Sequence, residues 1–117
     1  MTTQLSLLVL STDLMSAVRV ADTAAQLGYA ARTIDDAGGL DGSSAEIVVI
    51  DVAASPVEPR AAVETLRRTS PAARFIAVYR HTDPEQARAA RAAGCDLVLN
   101  RAQFFGDIRA ALVRAQE

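Results

Sequence analysis

The sequence predicts an α/β domain built on one doubly wound parallel sheet, and three observations carry that reading. Short, nearly continuous apolar runs recur along the chain, stretches of helical periodicity stand between them, and glycine or proline marks most junctions. A length of 117 residues is one domain's worth, so residues 1–117 are read as a single unit without linker or repeat.

Residues 5–10 (Leu-Ser-Leu-Leu-Val-Leu) suit a strand buried on both faces. From Leu14 the spacing becomes helical. Leu14, Ala17, Val18, Ala21 and Ala25 fall on the apolar side, while Ser16, Arg19, Asp22, Thr23 and Gln26 fall on the other, and Gly28 ends the helix. Residues 29–34 make a weaker second strand. Residues 35–45 hold Gly38, Gly39 and Gly42, too much glycine for a robust helix, so the second helix is expected to be short or missing.

Ile47-Val48-Val49-Ile50-Asp51 is a β-branched run closed by a carboxylate and reads as the third strand. A loop with Pro56 and Pro59 leads into a helix through about Arg68, whose apolar side is Ala62, Val63 and Leu66. Residues 74–79 form the fourth strand. Thr82-Asp83-Pro84-Glu85 then offers a capping side chain, an early proline and an acid in the first turn of a helix that ends at Gly94. Cys95 to Leu99 is the fifth strand. A last helix over about 103–115 places Phe104, Ile108, Ala111, Leu112 and Ala115 on one face.

Strand and helix thus alternate in a (βα)5 order. Right-handed crossovers between short parallel strands leave few topologies, and the strand order 2-1-3-4-5 is the natural one. In such sheets ligands sit at the carboxyl ends of the strands where the winding reverses, here between strands one and three. Ser11, Thr12, Asp13 and Asp51 fall at that crevice.

Composition narrows the function. Half the residues are apolar and 22% are charged, as in a folded globular domain. Twelve basic residues against fourteen acidic ones leave a formal charge of −2, which disfavours direct nucleic-acid binding. Every basic residue is Arg; the absence of Lys removes the Walker phosphate loop and Schiff-base chemistry. Cys95 stands alone and cannot form an internal disulfide, no apolar run has membrane-spanning length, and no basic segment precedes the first apolar run. A cytoplasmic setting without membrane attachment is the expectation.

Taken together, the apolar strand before Asp51, the Leu27-Gly28-Tyr29 helix end, Pro56 after Asp51, and Ala93-Gly94-Cys95-Asp96 before the fifth strand resemble a response-regulator receiver domain of bacterial two-component signalling. The resemblance covers essentially the whole chain and implies the flavodoxin-like form of the predicted fold. In that family a strand-three Asp accepts a phosphoryl group, two acids after strand one hold Mg²⁺, a Thr or Ser ends strand four, and Lys-Pro ends strand five. Carried over by position, the acceptor is Asp51. The acidic pair falls on Ser11 and Thr12, the hydroxyl on Tyr79, the Lys on Arg101, the Pro on Ala102, and the aromatic switch position on Val98.

Those departures have physical consequences. Phosphoryl transfer needs a divalent ion to offset charge on the moving group, and two hydroxyls are poor replacements for carboxylates on a hard ion. Asp13 fits a helix N-cap better than a metal ligand. The planar guanidinium of Arg101 is not equivalent to an ammonium and would pair with Asp51 permanently. Tyr79 is too bulky for the small shift of a Thr hydroxyl toward phosphate. The resemblance therefore implies a degenerate receiver, a pseudo-receiver without enzymatic activity or cofactor, that acts through contact with a kinase, an output domain or itself.

Receivers meet partners, or form homodimers, through the face of helix four, strand five and helix five, counted with the second helix included. Arg88, Arg91, Val98, Arg109 and Arg114 fall there, although solvated arginines on helices are ordinary in themselves. Two alternatives stand beside this reading. In one, Asp51 is phosphorylated by a histidine kinase, with Asp13 contributing to an Mg²⁺ site and Arg101 replacing Lys. In the other, Ser11 and Thr12 hold the phosphate of a flavin-type cofactor, although no glycine opens that loop.

Other residues carry bland readings. His81 has no companions for metal or triad chemistry. Cys95 is expected to pack in the core as a small apolar side chain. Gly38, Gly39 and Gly42 precede a strand rather than a robust helix, so they suit a shortened loop and not a phosphate cradle.

Overall fold

A computed structural model describes residues 5–35, 44–54 and 58–117. Gly38, Gly39, Gly42 and Pro56, and with them the expectation for the second helix, lie outside the described residues. In chain order the elements are β1 (Leu5–Leu10), α1 (Leu14–Gln26), β2 (Tyr29–Ile34), β3 (Ile47–Asp51), α2 (Pro59–Thr69), β4 (Arg74–Tyr79), α3 (Pro84–Ala92), β5 (Leu97–Asn100), α4 (Arg101–Gly106) and α5 (Ile108–Gln116).

The strands form one five-stranded parallel sheet in the order β2-β1-β3-β4-β5, as the sequence predicts. Alternation along each strand splits its side chains between two cores. Leu7, Val9, Ile47, Val49, Ile76 and Val78 face α1, α4 and α5, packing with Val20, Phe104 and Leu112. Leu8, Leu10, Val48, Ile50, Phe75 and Ala77 face α2 and α3, packing with Val63, Leu66 and Ala90. Coverage on both faces explains why β1, β3 and β4 read as continuous apolar runs.

Several local expectations need correction. Helix α1 buries Ser16, Ala17, Val20 and Ala24, while Leu14 and Val18 are exposed, so its buried stripe is rotated from the predicted one. The fifth strand starts at Leu97 rather than Cys95, because Asp96 turns back on β4: its backbone N–H donates to Phe75 O (2.8 Å) and its carboxylate accepts Phe75 N–H (2.8 Å). Cys95 accordingly lies before the strand, half-buried against the α2-side core, and burial pushes its thiol pKa up to about 11.

The last helix is two helices. Asn100 and Gln103 form a reciprocal capping box that starts α4 directly after β5, and the Asp107 carboxylate accepts Ala110 N–H (3.0 Å) to start α5. In α3 the N-cap is Asp83, one of two capping candidates with Thr82, and it makes no side-chain cap hydrogen bond.

Gly28 takes φ +91° between α1 and β2, and no atom beyond its chain neighbours lies within 4 Å of where a Cβ would stand. Its value is conformational rather than steric. Gly28→Ala is expected to cost about 1 kcal/mol in urea unfolding, the penalty of a left-handed L-residue without a clash.

Candidate functional site

The carboxyl ends of β1 and β3 meet at the predicted crevice. Parallel register sets Leu10 beside Ile50, so the next residues, Ser11 and Asp51, emerge together. The Ser11 hydroxyl donates to Asp51 Oδ2 at 3.0 Å, and Ala54 N–H donates to Oδ1 at 3.2 Å. Asp51 is buried, with 3% of its surface exposed. Arg101 reaches across from the start of α4 and sets a guanidinium nitrogen 3.6 Å from Asp51 Oδ2. Burial is the largest influence on Asp51 and raises its pKa above the ordinary value of 3.8; the Ser11 and Ala54 hydrogen bonds and the Arg101 charge oppose that rise.

Asp13 is the N-cap of α1. Its Oδ1 accepts Met15 N–H (3.2 Å) and Ser16 N–H (3.5 Å), and its Oδ2 accepts the Ser16 hydroxyl (2.7 Å). The Ser16 hydroxyl does most to hold its pKa below 3.8. Arg101 lies 4.0 Å from the same Oδ2 and donates to Ser16 Oγ at 3.2 Å. The guanidinium also stacks over the Phe105 ring, 4.8 Å from its centroid. One cation thus spans two carboxylates, a hydroxyl and an aromatic face.

Ser16 belongs to this cluster although the sequence reading placed it on the solvent side of α1. The available signal was its position three residues after an N-cap Asp, where a hydroxyl can answer the capping carboxylate.

The other predicted positions are dispersed. Thr12 is exposed, and its hydroxyl donates to Ala54 O at 2.9 Å. Tyr79 ends β4 half-buried, two residues on from Ala77 and hence on the α2 and α3 side of the sheet. Val98 packs half-buried against that same side. Arg88, Arg91, Arg109 and Arg114 are exposed, and Arg88 pairs with Glu85.

Beside the cluster, two loops are stitched together by residues that the sequence reading did not single out. Arg80 donates to Ala53 O at 3.0 Å, Gln86 Nε2 donates to Val52 O at 3.3 Å, and Gln86 Oε1 accepts Arg80 N–H at 2.9 Å. These bonds join the segment after Asp51 to the start of α3.

The crevice does not fit Mg²⁺, the ion that a receiver fold implies. An octahedral site needs several oxygen ligands, carboxylates among them. Among the described residues Asp51 is the one buried carboxylate, Asp13 is occupied as a cap, the Ser11 hydroxyl is donating, and a guanidinium stands where a second positive charge would be repelled. Among the described residues no group of three or more His, Cys, Asp or Glu side chains could hold a metal. No described helix is long and apolar enough to cross a membrane.

No protein-family model matches the sequence, and no curated protein matches it. Solved structures do. The chain is similar to the BeF3-activated receiver domain of DrrB, with a TM-score of 0.81 at 19% identity over 97% of this chain and 98% of that one. It is similar to the chemotaxis response regulator CheY4 of Vibrio cholerae, with a TM-score of 0.79 at 17% identity over 97% and 99% of the two chains. A protein of Burkholderia pseudomallei designated pilus assembly-related gives a TM-score of 0.69 at 25% identity over 98% and 92%. The fold is that of response-regulator receiver domains.

Proposed function

We propose that the chain is a receiver-type signal-transduction module of a bacterial response regulator that works without phosphorylation, as a binding module rather than an enzyme. The observation that carries this reading is the Asp51–Arg101 ion pair at 3.6 Å, closed in by Ser11 and Ala54. A carboxylate that attacks a phosphoryl donor needs a free oxygen and a cation that can follow the transferred charge. The Asp51 oxygens are already committed, and the cation beside them is fixed by Ser16 and Phe105.

With no exchange of ligands at the crevice, the domain presents one surface to its partner in a cytoplasmic setting. The partner is a kinase, an output domain or a second copy, and the surface is the face of α3, β5 and α5, with exposed Arg88, Arg91 and Arg109 and half-buried Val98. Its formal charge of −2 argues against nucleic acid as the direct partner.

Incubation with acetyl phosphate and Mg²⁺, followed by intact-mass measurement, is expected to leave the mass unchanged. A gain of about 80 Da that disappears in Asp51→Asn would replace this reading with that of a working phosphoacceptor. The triple variant Ser11→Asp, Thr12→Asp, Arg101→Lys supplies the missing ligands and a mobile ammonium. It is expected to show Mg²⁺-dependent amide shifts around residue 51 that the parent lacks.

A further inference from the structure

A cavity of about 420 Å³, open to solvent, lies between α1 and the junction of α4 with α5. Its size falls within the ~300–1,000 Å³ range of small-molecule sites. On the α1 side, Asp22, Thr23 and Gln26 follow Arg19 at intervals of three, four and seven residues, which is one face of a helix. The other side is Phe105 with Asp107, Ile108 and Arg109. Phe105 apart, none of these residues belongs to the cluster around Asp51.

Part of the lining is held in place by the protein itself. Arg19 donates to Phe105 O at 3.0 Å and lies over the Phe105 ring, 4.9 Å from its centroid, while Arg101 lies over the same ring. The Thr23 hydroxyl donates to Arg19 O at 3.1 Å, and the Asp107 carboxylate accepts Ala110 N–H. Asp22, Gln26 and Arg109 are left with no side-chain hydrogen bond or ion pair to any described residue. Asp22 and Arg109 therefore carry opposite charges on the two helices bordering one cavity without neutralising each other. With Arg19 and Asp107 included, the lining balances positive against negative charge.

A phosphate or other polyanion would meet both carboxylates there, and a polyamine would meet both guanidiniums. A ligand with one charge of each sign meets its complement. We propose that the cavity is a binding site for a small zwitterion, an amino acid with one ammonium and one carboxylate group. The ammonium is held by the Asp22 carboxylate and Gln26 Oε1, one turn apart on α1. The ligand carboxylate takes the planar fork of Arg109, a bidentate partner that no other side chain uses. In the same lining the half-buried Phe105 ring and the buried Ile108 side chain give apolar contact to the ligand's carbon chain. Both charged contacts remain open to water, so the dissociation constant is on the order of 1 mM. The proposal does not rest on the signalling role; Arg109 also borders the α3, β5 and α5 surface, but ligand binding is read on the chain alone.

Amide NMR shifts of the full chain at neutral pH, followed to about 20 mM ligand, test it. L-Leucine and 5-aminopentanoate carry the two charges at short and long spacing, whereas 4-methylpentanoate and 3-methylbutylamine keep the carbon frame of leucine with one charge each. At least one of the two zwitterions is expected to shift residues 19–26 and 105–109 saturably, and at least about threefold more tightly than either single-charge analogue. Asp22→Asn and Arg109→Gln, both at exposed positions, are each expected to weaken that binding at least about threefold while the remaining amide shifts stay those of the parent. Neither zwitterion shifting these residues, a single-charge analogue binding as tightly, or binding unchanged in either variant would each overturn it.

Discussion

Arg101→Ala is expected to destabilise the domain by about 2 kcal/mol, read as a lowered urea midpoint. Three interactions go at once: the ion pair to Asp51, the hydrogen bond to Ser16 and the stacking on Phe105. The dominant cost is the one left behind, because Asp51 remains buried with its charge unanswered. Deletion of one partner of a fully buried pair costs about 3–5 kcal/mol. Arg101 keeps 39% of its side-chain surface exposed, so water replaces part of what it supplied, and the figure is reduced accordingly. Arg101→Lys should recover less than half of the loss, since an ammonium restores the charge but neither the fork nor the stack. In an Asp51→Asn background the same alanine substitution should cost under ~1 kcal/mol. A full-size cost in that background would place the role of Arg101 in the Phe105 contact instead.

Asp51→Asn should act in the opposite direction, raising stability and with it Tm at neutral pH, because burial penalises the ionised carboxylate of the parent. The two halves of the ion pair are asymmetric. Asp51 is buried and its ionised form is penalised, whereas Arg101 is partly solvated and keeps Asp13 and Ser16 when Asp51 is neutral. Asparagine can accept from Ala54 N–H through its oxygen, and the Ser11 hydroxyl has Asp13 O within 3.4 Å as a second acceptor.

The pH dependence follows from the direction of the shift. The folded-state pKa of Asp51 lies above 3.8, so its favourable contribution is complete below 3.8 and is lost as pH rises through the folded value. The advantage of the Asp51→Asn variant over the parent should therefore be absent below about pH 3.8, grow above it and level off once pH exceeds the folded value. Asp13 runs the other way: its lowered pKa gives stability above 3.8 that is lost as pH falls through the folded value. Thermal melts of parent and variant from acid to neutral pH check the difference. A stability gain in the variant that persists unchanged in acid would show that charge burial is not its source.

The sheet was legible because its central strands announce themselves. Apolar runs without alternation, such as Leu7 to Leu10 and Ile47 to Ile50, fit only strands covered on both faces, and the crossover rules then fix their order. Register placed Ser11, Asp13 and Asp51 at one crevice for the same reason. Less was legible where the deciding partner lay far along the chain. In α1, alanine-rich periodicity permits more than one apolar face, and only contact with Tyr29 and the sheet chooses Ala17, Val20 and Ala24. Ser16 joins the crevice through Arg101, 85 residues away in sequence. The break before α5 was in principle readable, since Gly106-Asp107 combines a helix stop with a helix cap.

The stitching of Val52 and Ala53 to Gln86 and Arg80 has a dynamic consequence. Neither rim segment can breathe alone, because each opening must release hydrogen bonds that also anchor its neighbour. Amide hydrogen exchange is therefore expected to show the two rim segments opening together instead of through independent flickering of two flaps.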